Sequence, residues 1–132
     1  MNRQPVVLLV AGDGMTRLIT SNGLSMYGYD VVTAKDGAEA VTILEEKGRI
    51  GVLVVDADLG GDVGGLAVAA AARRLDPRID VIYTSRAPYR IPEQAKVKGA
   101  PSIRAPFHPQ QIVGIISELK HRPSSEPSAR VA

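Results

Sequence analysis

Hydrophobic positions along this chain fall into two kinds of run that take turns. Val6 to Val10 and Val52 to Val55 are unbroken apolar stretches with no polar alternation, the pattern of strands covered on both faces and therefore of a parallel sheet. Shorter runs at Asp30 to Ala34, Asp80 to Ser85 and Ser102 to Arg104 predict three more strands. Between them the spacing changes. Met15, Leu18, Ile19 and Met26 suit a helix over Met15 to Tyr27, although Asn22 and Gly23 inside it each weaken it by up to about 1 kcal/mol relative to alanine. Asp36 and Glu39 have the spacing of a capping box ahead of a helix that runs through Val41, Leu44 and Lys47 to a Gly48 stop.

Leu66 to Leu75 is alanine-rich and favours helix, ending before Asp76-Pro77, because the residue preceding a proline resists the helical conformation. Only a short helix, about Pro92 to Lys98, fits between the prolines of the next segment and Gly99. The last helix starts with Pro109 in its first turn and shows Ile112, Ile115, Ile116 and Leu119 on one face. Five strands alternating with helices predict an α/β fold, a doubly wound parallel sheet with helices on both faces. The segment from Arg122 on is rich in proline and serine, which predicts a domain over 1–121 and a disordered tail over 122–132.

Composition narrows the classes. A chain of 132 residues suits one domain. Apolar residues at 45% and charged residues at 23% are ordinary for a globular protein and indicate neither a membrane span nor disorder. The formal charge of +2 is too small to imply nucleic acid. With no cysteine there is no disulfide framework, thiol nucleophile or thiolate metal site. Arg3 followed by Val6 to Ala11 superficially resembles a secretory signal, but the apolar segment is short and Gly12-Asp13-Gly14 offers no cleavage site, so a cytoplasmic protein is expected.

Candidate chemistry centres on Asp56. It follows the buried run at the carboxyl end of the third strand, the edge at which open α/β sheets bind ligands. Gly60, Gly61, Gly64 and Gly65 behind it read as turn residues. His108 reads as an N-cap and His121 as a helix C-terminal residue, with no metal implied. Tyr83, Tyr89 and Phe107 read as a partner surface, and Ala105-Pro106 as a trans bond. Gly12-Asp13-Gly14 after the first strand also opens like a dinucleotide fingerprint, but Arg17 stands where its third small residue belongs. The alternative function is therefore a phosphate- or nucleotide-binding module using that loop.

The matching segments are Val7-Leu8-Leu9-Val10, Gly28 to Ala34 with Asp36-Gly37 and Glu39-Ala40, Val52 to Leu59, Gly65-Leu66, Val81 to Ser85, and Ala105-Pro106-Phe107. In this order and spacing the chain resembles the receiver domain of two-component response regulators from Val6 to Leu119. The resemblance implies a flavodoxin-like sheet of order 2-1-3-4-5. It also implies Asp56 as acceptor of a phosphoryl group from a histidine kinase, with Thr84 contacting that group. Such a module signals in a phosphorelay by protein contact, as a monomer or weak dimer, and is no enzyme beyond phosphorylation and dephosphorylation of itself.

The family holds Mg2+ with an acidic pair after the first strand and uses a lysine after the fifth. Here those positions are Ala11, Gly12 and Ala105. The metal is expected to bind weakly if at all, with Asp13 and Asp58 as the nearest helpers of Asp56, because Mg2+ demands hard oxygen ligands in near-octahedral array. Arg86, two residues after Thr84, is the candidate replacement for the lysine, whereas Arg104 should point to the opposite face of its strand. The aromatic of the family's conformational relay is Ser102 here, so a ring-swing switch is not expected. Metal-dependent phosphorylation should be impaired, since one lost oxyanion donor alone can cost roughly 3 kcal/mol.

Overall fold

The computed structural model describes residues 4–121; the tail expected over 122–132 lies outside them. Five strands, β1 (Val6–Val10), β2 (Asp30–Ala34), β3 (Ile50–Asp56), β4 (Asp80–Ser85) and β5 (Ser102–Arg104), form one parallel sheet in the order β2-β1-β3-β4-β5. The helices are α1 (Gly14–Met26), α2 (Gly37–Lys47), α3 (Gly65–Leu75) and α4 (Pro109–His121). The doubly wound architecture and its strand order match the expectation.

Alternation along each buried strand sorts the core into two layers. Leu8, Val10, Leu53, Val55, Val81 and Tyr83 face α2 and α3. Val7, Leu9, Val52, Val54, Ile82 and Ile103 face α1 and α4, where Leu24, Ile112 and Ile116 complete the packing. Caps fix the helix starts as the sequence suggests. The Asp36 carboxylate accepts from Glu39 N (2.8 Å), and Glu39 reaches back to Lys35 N (2.8 Å), one residue before the usual partner of a capping box. His108 Nδ1 accepts from Gln110 N (3.2 Å) ahead of Pro109.

Several expectations are corrected. Helix α1 forms, but Met15, Leu18, Ile19 and Met26 point outward, Met26 with 87% of its surface exposed. The inward side carries Thr20, Gly23 and Leu24, and a Cβ on Gly23 would come 2.5 Å from Pro109 Cβ. Small residues there let α1 and α4 approach, and that contact decides which side of α1 faces in. The crossover from β4 to β5 contains no α-helix over Pro92 to Lys98, only single 3-10 turns at Pro88–Arg90 and Glu93–Ala95. Its anchor is the buried Tyr83, whose hydroxyl accepts from Val97 N (2.9 Å). Tyr83 is thus core rather than partner surface, and Phe107 packs on the α1 and α4 layer, leaving Tyr89 exposed.

The Ala105-Pro106 bond is cis; the two forms of a bond to proline differ by only about 0.5–1 kcal/mol, so surroundings can decide between them. Gly65 is more than a turn residue, since a Cβ there would run into the Asp56 carbonyl oxygen. Its missing side chain lets α3 start against the end of β3. Gly61, with φ 92°, does serve the turn.

Candidate functional site

Register and strand parity assemble the carboxyl edge. Asp56 pairs with Thr84 on β4, and one step beyond the Val10–Val55 pair places Ala11 on its other side. All three lie on the α1 and α4 face of the sheet, since they continue the alternation of Leu9, Val54 and Ile82. Ile103 pairs with Thr84, so Arg104 turns to the other face, as expected. Ser102 pairs with Tyr83, and its hydroxyl is buried without a hydrogen-bond partner.

Asp56 is part-buried and its Oδ1 accepts from Asp58 N (2.8 Å). Burial raises its pKa above the ordinary aspartate value and the Asp58 charge adds to the rise, while the bond from Asp58 N and the Arg86 guanidinium pull it down. Thr84 is buried, and its carbonyl accepts from Ala57 N (2.8 Å), which ties the end of β3 to β4.

The two other acids do not join Asp56 as ligands. The strand ends at Asp56, so Asp58 sits in the following turn instead of two residues along the same face. Its carboxylate accepts from Ser85 Oγ (3.0 and 3.2 Å) and Arg86 N (2.9 Å), which links the β3–α3 loop to the end of β4. Asp13 is the exposed N-cap of α1, its Oδ2 accepting from Thr16 N (2.9 Å) and Thr16 Oγ1 (2.7 Å). Those bonds, the hydroxyl's first, hold its pKa below the ordinary value. The loop offered as a phosphate cradle therefore presents a carboxylate at the helix start, where a phosphate would need bare N–H groups.

Two basic residues frame the edge. Arg86 lines an open cavity of about 340 Å³ with Ala57, Asp58, Leu66, Arg90 and Ile91, the space left beneath the helix-free crossover. From the sequence alone, Arg17 only spoils a nucleotide fingerprint. In the structure its Nη1 donates to Ala11 O (2.7 Å) and Gly12 O (3.2 Å), the two residues that follow β1. The legible signal was an arginine in the first turn of a helix preceded by glycines, close enough to fold back over the strand end.

These residues do not fit a divalent metal. Asp58 accepts from protein donors through both carboxylate oxygens and Asp13 through Oδ2, the Ala11 and Gly12 carbonyls are capped by a guanidinium, and no group of three or more His, Cys, Asp or Glu among the described residues is placed to hold an ion. No helix of the described residues is long and apolar enough to cross a membrane.

No protein-family model matches the chain, and no curated protein matches it. Solved structures do. A response regulator receiver protein from Sinorhizobium medicae superposes with a TM-score of 0.78 at 24% identity, over 87% of this chain and 93% of that one. The chemotaxis response regulator CheY4 of Vibrio cholerae gives 0.76 at 24% identity, over 88% and 98%. The receiver domain of the hybrid histidine kinase CckA gives 0.72 at 25% identity, over 85% and 95%.

Proposed function

We propose that this chain, built on the fold of the response regulator receivers, is a phosphorelay signalling module acting by protein contact, with Asp56 as a phosphoacceptor of impaired metal-dependent reactivity. The observation that carries this reading is the edge itself, where a part-buried carboxylate stands between Ala11 and Thr84 with neither acidic pair nor lysine beside it.

In the reaction, an Asp56 carboxylate oxygen attacks phosphorus in a phosphohistidine of a kinase or phosphotransferase. The phosphorus–nitrogen bond breaks, its electron pair stays on the imidazole, and an acyl phosphate forms. The Thr84 hydroxyl and the Arg86 guanidinium are the donors available to the equatorial oxygens. The absent lysine and acidic pair make the step slow. Contact with the partner falls to α1, whose outward side shows Met15 at 62%, Leu18 at 56% and Ile19 at 53% exposure. Such an uncharged stripe on a surface helix marks an interaction site.

The test is incubation with acetyl phosphate and Mg2+, read by intact mass. Slow gain of one phosphoryl group in the wild type and none in Asp56→Asn is expected. Equal gain in both proteins would move the chemistry elsewhere, and rapid gain would show that the pocket is not impaired.

A further inference from the structure

We infer that the carboxyl edge carries its own cations, Arg17 and Arg86, in place of a divalent metal, so that a phosphoryl-type oxyanion binds at Asp56 without Mg2+. The inference rests on Asp56 being the acceptor, as proposed above.

The two side chains come from opposite ends of the edge. Arg17 reaches back from the first turn of α1, and its two bonds to the Ala11 and Gly12 carbonyls pin the guanidinium over the end of β1. A guanidinium has five N–H donors, and both bonds to the carbonyls come from Nη1, so Nη2 and Nε remain uncommitted. Arg86 enters from β4. Its backbone N is fixed by Asp58 Oδ2, and its side chain lines the cavity with Ala57, the neighbour of Asp56. Among the described residues neither arginine is in an ion pair with a carboxylate. Both nevertheless act electrostatically on Asp13, and Arg86 also acts on Asp56.

A planar fork matches two oxygens of a tetrahedral anion and keeps its charge at every accessible pH. A divalent ion entering the same edge meets the Arg17 guanidinium seated on the Ala11 and Gly12 carbonyls and a second positive charge at Arg86. The missing acidic pair and the two arginines are thus complementary parts of one arrangement: acids at 11 and 12 would pair with Arg17 and draw it off the carbonyls.

Beryllofluoride, made from beryllium chloride and fluoride, is the probe, with fluoride alone as control. It is followed by NMR of the Ala57, Thr84 and Arg86 amides with EDTA present and then with Mg2+ in excess. Equal shifts in both conditions, at least tenfold weaker affinity in Arg86→Gln, a smaller loss in Arg17→Gln and retention in Arg86→Lys are expected. Shifts that require Mg2+ would overturn the inference and leave the acceptor reading standing. No shift in either condition, or shifts that persist in Asp56→Asn, would remove the acceptor reading and the inference with it. Unchanged affinity in both glutamine variants would overturn the cation assignment alone.

Discussion

Asp56 holds a proton more tightly in the folded chain than in the unfolded one, because burial outweighs the help from Asp58 N and Arg86. A carboxyl group with a raised folded-state pKa costs stability. The cost sets in as pH rises through the ordinary aspartate range of about 4 and is complete above the raised value. Asp56→Asn removes that charge and keeps an oxygen to accept from Asp58 N. It should melt a few degrees higher than the wild type at pH 7, the gap closing toward pH 3. A wild type more stable than the variant at pH 7 would mean that Arg86 outweighs burial. The carboxylate was readable from its place after Val52 to Val55. Asp58 and Arg86 were legible as its neighbours; how they act was not, since the Asp58 N–H bonds Asp56 while the Asp58 carboxylate turns to Ser85 and Arg86 N, through a turn whose path no periodicity describes.

Elements show the same divide between type and orientation. The spacing of Met15, Leu18, Ile19 and Met26 identifies a helix correctly, yet it cannot say which side packs inward when the contact is made by Thr20, Gly23 and Leu24. Gly23→Ala would drive a methyl into Pro109 and should cost about 1–3 kcal/mol, the scale of overpacking, measured by urea unfolding. On the outward side, Leu18→Glu should change stability by no more than about 0.5 kcal/mol and abolish capture of a phosphodonor partner. Loss of stability instead would show that the stripe is structural. At the β4–β5 crossover the prolines were legible as helix breakers. What replaces the helix was not, because its anchor is one hydroxyl, and Tyr83→Phe should cost about 1–3 kcal/mol by leaving the Val97 N–H unpaired.

Across the whole molecule the fold and its chemistry are separable. Layers and helix starts follow from apolar runs, caps and glycines, and within the observed strand order they deliver Ala11, Asp56 and Thr84 to one face whatever their side chains are. The fit around the edge is close, as the approach of Gly65 to the Asp56 carbonyl shows. What the edge lacks is a carboxylate at Ala11 or Gly12 and an amine at Ala105. A Cβ at Gly12 would meet nothing nearer than 3.9 Å, so an acid fits there. The combined substitutions Ala11→Asp, Gly12→Asp and Ala105→Lys should therefore create Mg2+ binding that shifts the amides of Asp56, Ala57 and Thr84, while the wild type stays unmoved by the ion. Arg17 should leave the carbonyls for the new acids, so adding Arg17→Gln should tighten the metal further. A triple variant still blind to Mg2+ would show that the backbone at this edge, and not only its side chains, is unsuited to metal binding.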